Sequence, residues 1–257
     1  MIPTPPSAFS VAKNFASLSL RRLRRSKLLR VVIALLFLPV LSAAIVLISG
    51  NAKTEFFDRM QEIYLRFLIP LVMALQASAT VAEEVQQKTI TYLFSRPIAR
   101  WTLPIGKFVG LLLLNLAIIC VSITATYLLV MIGEAGVTLE LPRLFAGLLS
   151  TSLAACYYGA LATAFGAMVI SLPFAVMMTY VLVVDIGASY APGMLKAFSM
   201  GSHLLAVAGR YQPQSGFLTS DPELSLAISM PIIIAVSLVW LVIAITWVNS
   251  TEYRTDK

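Results

Sequence analysis

The residues best suited to chemistry in water lie in one polar segment, residues 83–107, which reads EEVQQKTITYLFSRPIARWTLPIGK. It begins with two adjacent carboxylates, Glu83 and Glu84, and continues with the cations Arg96, Arg100 and Lys107. Such side chains form charge-assisted hydrogen bonds, which suit recognition of another molecule. Because apolar runs lie on both sides of the segment, we expect it to be exposed to water and bound by a partner protein.

Composition places the whole chain in the membrane class. Of its 257 residues 59% are hydrophobic and 12% are charged, and the mean hydropathy is +0.87. Soluble globular domains are about 25% charged. We therefore predict an all-α, polytopic membrane protein that forms a single domain over residues 1–257.

The uncharged runs define the membrane spans. The run over residues 144–184 is 41 residues long, and a bilayer core is crossed by about 20 helical residues, so this run must hold two spans. Glycine, serine and proline between residues 166 and 173 predict the break. Residues 50–62 are expected to be an external loop. Six spans result, at about 28–49, 63–82, 108–132, 144–164, 172–189 and 224–248.

Basic residues give the orientation. With the N-terminus inside, 13 of the 19 Lys and Arg residues face the cytoplasm, which predicts that both termini are cytoplasmic. The basic run RRLRRSK is then an orientation signal beside membrane lipids, and we expect no nucleic-acid partner because the next residues enter the bilayer.

Two shorter elements are predicted outside the spans. Residues 7–20 place apolar side chains at helical spacing, which favours an amphipathic helix on the membrane surface over a disordered tail. Residues 190–223 are too apolar for a solvated loop, so we expect short re-entrant helices before the sixth span.

Several residues of segment 83–107 follow a known order. Glu84, Thr89, Leu93, Ser95-Arg96-Pro97, Arg100 and Gly106-Lys107 resemble the signature of type-two ABC transporter permeases. Lys88 departs from it, because a glycine commonly precedes the threonine. In that family the segment is a coupling helix, seated in a groove of a separate ATP-binding subunit. The resemblance thus implies an ATPase-coupling site formed by Glu83, Glu84, Thr89, Leu93, Arg96, Pro97, Arg100 and Lys107.

The resemblance also implies partners and location. A six-span permease forms half of a pathway, so we expect two ATP-binding subunits and a second permease chain, identical or homologous, in a prokaryotic inner membrane. Export is the family's expected direction. The chain lacks a phosphate-binding Gly-x-x-x-x-Gly-Lys-Ser/Thr loop, so no cofactor is expected here, and ATP and Mg²⁺ belong to the partner. The alternatives are an ABC-linked assembly or scaffold factor and, with no catalytic motif to support it, an intramembrane enzyme.

Polar residues within the spans are further candidates. Asp185 and Gln76 are predicted to line a substrate pathway, because ionisable and polar groups inside a bilayer are costly. Structural polar packing is the alternative for Asp185. Cys120 and Cys156 are soft ligands that suit Cu(I), but they lack metal-binding spacing, so no metal site is predicted. His203, the only histidine, is expected to be external.

Overall fold

The computed structural model describes residues 8–50, 54–90, 99–133, 140–191, 193–209 and 224–251. Within these ranges the chain is helical and holds no strand, which confirms the all-α prediction. Six of the helices are long and apolar enough to cross a membrane. The spans are α2 (Lys27–Ile48), α3 (Thr54–Gln86), α4 (Thr102–Gly133), α5 (Leu141–Met168), α6 (Pro173–Tyr190) and α8 (Leu226–Ser250). The shorter elements are α1 (Ala8–Arg25), a 3₁₀ helix (Gly193–Phe198) and α7 (Met200–Val207).

The expected loop over residues 50–62 is wrong for most of its length, because α3 begins at Thr54. Phe57 and Gln61 are buried in its first turns. The Phe57 ring packs edge-on against Tyr127 with centroids 5.3 Å apart. Polar residues that looked like a loop are therefore one face of a helix whose other face is buried. The predicted break between the fourth and fifth spans falls in residues 169–172, between α5 and α6.

Helix α1 packs against the beginning of α4. The contact uses Gly106 and Gly110, where an added Cβ would lie 2.8 Å from the carbonyl oxygens of Ala12 and Ala16, respectively. Two glycines four residues apart let helix backbones approach closely. The predicted amphipathic helix is thus present, extends through the arginine cluster to Arg25, and has a protein neighbour on one face. Its position on a membrane surface stays a prediction.

Helix α3 is irregular just before the polar segment. Residues Ser78–Ala82 form a π-helical stretch in which Thr80 has φ −86° and ψ −126°. The Thr80 hydroxyl donates to the Ala77 carbonyl at 2.5 Å. Gly166 of α5 lies against this kink, where an added Cβ would clash with Thr80. The kink lies three residues before Glu83.

The 3₁₀ helix and α7 follow α6, as predicted for the segment before the last span. Most of α7 is buried, and it packs against α5 and α8. Residues 210–223 lie outside the described part of the chain. Whether the two short helices dip into a membrane leaflet stays a prediction.

Candidate functional site

Glu84 is the centre of an ionic network at the end of the bundle formed by α1, the end of α3 and the start of α4, here called the basic end. Its Oε1 accepts from Lys107 Nζ at 2.6 Å and from Arg22 Nη1 at 3.2 Å. Its Oε2 accepts from Thr89 Oγ1 at 2.5 Å. The Lys107 side chain is only 4% exposed. One carboxylate therefore ties α1, α3 and α4 to the first residues of the polar segment.

Glu83 adds a second, more exposed bond to the same arginine. Its Oε1 lies 3.1 Å from Arg22 Nη2, and Arg22 also donates to Gln87 Oε1. Arg22 is 43% exposed, so this part of the network is in contact with solvent.

Lys88 ends α3 in a left-handed conformation, with φ +57°. Its N–H bonds to the Val85 carbonyl, and the Thr89 N–H bonds to the Glu84 carbonyl, both at 3.0 Å. Helices commonly end this way, with glycine preferred at the left-handed residue. The departure noted in the sequence therefore has a structural meaning, since lysine occupies a position whose backbone favours glycine.

The structure brings together four of the predicted coupling residues: Glu83, Glu84, Thr89 and Lys107. Arg100 is exposed at the same end and donates to the Asn249 carbonyl near the end of α8, at 3.4 Å. The remaining three, Leu93, Arg96 and Pro97, lie outside the described residues.

Sequence reasoning missed Arg22 as a member of this site. It was counted only as part of the orientation signal, although its guanidinium reaches across to both glutamates. The signal in the sequence was the pair Gly106 and Gly110, four residues apart, which indicates that another helix packs closely against α4.

Gln76 forms a reciprocal amide pair with Asn115 of α4. Gln76 Nε2 donates to Asn115 Oδ1 at 3.1 Å, and Asn115 Nδ2 donates to Gln76 Oε1 at 2.8 Å. Gln76 is 1% exposed. Its amide joins α3 to α4, an arrangement that favours interhelical packing over the predicted pathway role.

Asp185 lies at the other end of the bundle, in a π-helical stretch of α6, and is 2% exposed. Its carboxylate accepts from the Tyr157 hydroxyl and from the Met200 N–H, both at 3.3 Å. Its backbone carbonyl accepts from the Ser199 hydroxyl at 2.7 Å. Asp185 therefore connects α5 and α6 to the first residues of α7, and its pathway role stays a prediction.

His203 makes a matching connection from α7 to α8. Its Nε2 donates to the Ala197 carbonyl at 2.9 Å, and its Nδ1 lies 3.1 Å from the Ser229 hydroxyl. Burial lowers the pKa of the His203 imidazole, against the smaller raising effect of the Ala197 bond. Between them, Asp185 and His203 attach α7 to three spans.

Among the described residues, no group of three or more His, Cys, Asp and Glu side chains could hold a metal ion. Cys120 and Cys156 are free thiols.

Six long apolar helices define a multi-pass membrane protein, with an ionic network between its second and third spans. The sequence matches the family model described as ABC-2 family transporter protein over residues 20–191. The match covers more than half of the chain, which therefore belongs to the ABC-2 transporter family and is a permease subunit of an ABC transporter. A search of curated proteins finds no match.

Proposed function

We propose that this permease forms half of a translocation pathway and is driven by two separate ATP-binding subunits that dock at residues 83–107. The observation that carries the proposal is the Glu84 network, which joins α1, α3 and α4 where the segment leaves the bundle. A force applied to the segment would reach three helices through one partly buried carboxylate.

A shift between two conformations requires that a ligand bind one of them more tightly. ATP would supply that difference by closing the two ATP-binding subunits, which moves the two docked segments. A second permease chain completes the pathway. Export from the cytoplasm, with the basic end inside and the protein in a prokaryotic inner membrane, is the arrangement that the family resemblance and the charge distribution support.

The test is co-purification of ATP-binding subunits with the permease after co-expression. The variant Arg96→Glu/Arg100→Glu reverses two cations of the segment. The control variant Lys53→Glu/Arg59→Glu makes the same charge change at residues predicted to face the opposite side. Arg59 is exposed on α3.

Wild type and control are expected to retain an ATPase, whereas the segment variant loses it while staying monodisperse in detergent. If the segment variant binds the ATPase as well as wild type does, the docking assignment is wrong. Equal loss in both variants would also count against it, because the effect would then be one of overall charge. ATPase binding without any ATP-dependent movement of cargo would instead support the assembly-factor alternative.

A further inference from the structure

A cleft of about 870 Å³ opens beside the Glu84 network, between α1 and the end of α3. Its walls carry two kinds of side chain, apolar ones near the middle of α1 and cations toward its end. The residues used below are Phe15, Leu18, Arg21, Arg25, Ser26 and Lys107, all of which line it.

The charges in the cleft do not cancel. Four cations line it, and two of them, Arg22 and Lys107, are paired with the two acids Glu83 and Glu84. Arg21 and Arg25 are exposed, and neither forms an ion pair with a described residue. They stand one helical turn apart on the same face of α1. The cleft therefore presents two available guanidinium groups, which match the oxygens of a phosphate.

The apolar part of the cleft adjoins these cations. Leu18 is three residues before Arg21 and is 58% exposed, and Phe15 is half-buried one turn earlier. A free inorganic anion would use only the arginines. A ligand with a charged head and an apolar body would use both surfaces.

The cleft also lies where three candidate spans begin or end, which is the expected level of a membrane interface. Ser26, which lines it, caps the first span through a bond to the Leu29 N–H at 3.2 Å. The second span ends at Gln86 and the third begins at Thr102, so three spans enter the bilayer around this point. Phospholipid headgroups occupy that level, and basic pockets there bind anionic lipids.

From this placement we infer that the cleft binds the headgroup of an anionic phospholipid, with Arg21 and Arg25 holding the phosphate and Leu18 and Phe15 contacting the start of an acyl chain. The site is formed within the permease, although Glu84 and Lys107 of the proposed docking segment also line it, so lipid binding is measured without an ATP-binding subunit. It would fix the position of α1, and through Arg22 the Glu84 network, according to the lipid present.

The test measures lipid retention by the full-length permease alone. Protein purified in detergent is incubated with equal amounts of dioleoylphosphatidylglycerol and dioleoylphosphatidylcholine, and bound lipids are counted by native mass spectrometry. Arg21→Gln/Arg25→Gln removes both cleft cations. Lys13→Gln/Arg24→Gln removes two exposed cations of α1 that do not line the cleft.

Wild type is expected to prefer phosphatidylglycerol. The cleft variant should lose about 25-fold in its affinity, since each cation near an anionic headgroup contributes about fivefold. The control should stay within about twofold of wild type, and Arg21→Lys/Arg25→Lys should bind better than the cleft variant but less well than wild type, because it keeps the charges and loses the guanidinium geometry.

Three results would overturn the inference. Equal loss in the control variant would show diffuse attraction to a basic helix. Displacement of the lipid by inorganic phosphate at equal concentration would show a simple anion site. Unchanged lipid retention in the cleft variant would show that these arginines do not hold the lipid, and loss of the ATPase in a separate co-expression of that variant would then assign them to the ATP-binding subunit.

Discussion

Lys107 Nζ lies 2.6 Å from Glu84 Oε1, and the lysine side chain is only 4% exposed. A cation this buried depends on its counter-ion, because removing one partner of a buried pair leaves an uncompensated charge. Glu84 therefore has a structural role, as the counter-ion of Lys107, in addition to its proposed role in ATPase coupling.

The first prediction concerns that pair. Glu84→Gln should lower the free energy of unfolding by about 3 kcal/mol, whereas Glu83→Gln, whose partner Arg22 is 43% exposed, should cost no more than about 1 kcal/mol. Unfolding by SDS in mixed micelles measures both. Glu84→Met/Lys107→Met should cost less than Glu84→Gln alone. Equal effects of the two glutamate variants would contradict the buried-pair argument.

Lys88 offers a stabilising change. Because its φ is +57°, Lys88→Gly should raise the free energy of unfolding by about 1 kcal/mol, since the left-handed conformation costs an L-residue about that much. Lys88→Val should lower it, and the same SDS titration compares the two. If Lys88→Gly lowered the free energy of unfolding, the lysine side chain would stabilise the fold by more than its left-handed backbone conformation destabilises it.

Gln76 and Asn115 should act as a pair. Gln76→Leu should destabilise the protein by about 1 kcal/mol, and a double-mutant cycle with Asn115→Leu should return a coupling of about 0.6 to 1.7 kcal/mol. Cargo-stimulated ATPase activity of the folded Gln76→Leu protein is the discriminating readout. If activity is retained, the amide is structural, whereas loss of activity in a stable variant would restore the pathway prediction.

Asp185 should hold α7 against the bundle. In a Cys120→Ala/Cys156→Ala background, a cysteine placed at the buried Met200 should react slowly with a membrane-impermeant maleimide. Asp185→Ala removes the acceptor for the Met200 N–H and should speed that reaction at least tenfold, if each lost bond is worth about 1 to 2 kcal/mol. Thr179→Ala, on the exposed side of α6, is the matched control. Equal rates in all three proteins would remove the attachment role.

His203 predicts a loss of stability in acid. Its folded pKa is lowered by burial, so the unfolded chain takes up the proton first, and stability is complete above the unfolded value of about 6.5 and falls as the pH drops below it. The thermal midpoint of wild type should therefore fall more between pH 7 and pH 5 than that of His203→Gln. Parallel curves for the two proteins would show that other groups dominate this range.

Much of the architecture followed from local sequence. The six spans and the break near residue 170 were predicted because length and hydropathy are properties of each segment alone. The loop predicted over residues 50–62 was wrong for most of its length, because α3 already begins at Thr54. Phe57 and Gln61 stand among charged residues in the sequence, and only their burial against other helices reveals the helix.

The candidate site was likewise predictable only in part from the sequence. The residues of segment 83–107 were recognisable from their order, and the left-handed Lys88 was marked by its departure from a glycine. Their partners were not recognisable, because Arg22 is 62 residues before Glu84 and Asn115 is 39 residues after Gln76. Nothing in a charge pattern specifies which distant cation will approach a given acid.

The sequence by itself determined that this protein crosses the membrane and the family to which it belongs, since both depend on residues that are close along the chain. Only the tertiary structure decided that Glu84 joins three helices and that Asp185 bonds to the first residues of a short helix. The physical reason is helix packing. Small residues such as Gly106 and Gly166 let particular backbones approach, and that approach selects which polar side chains meet.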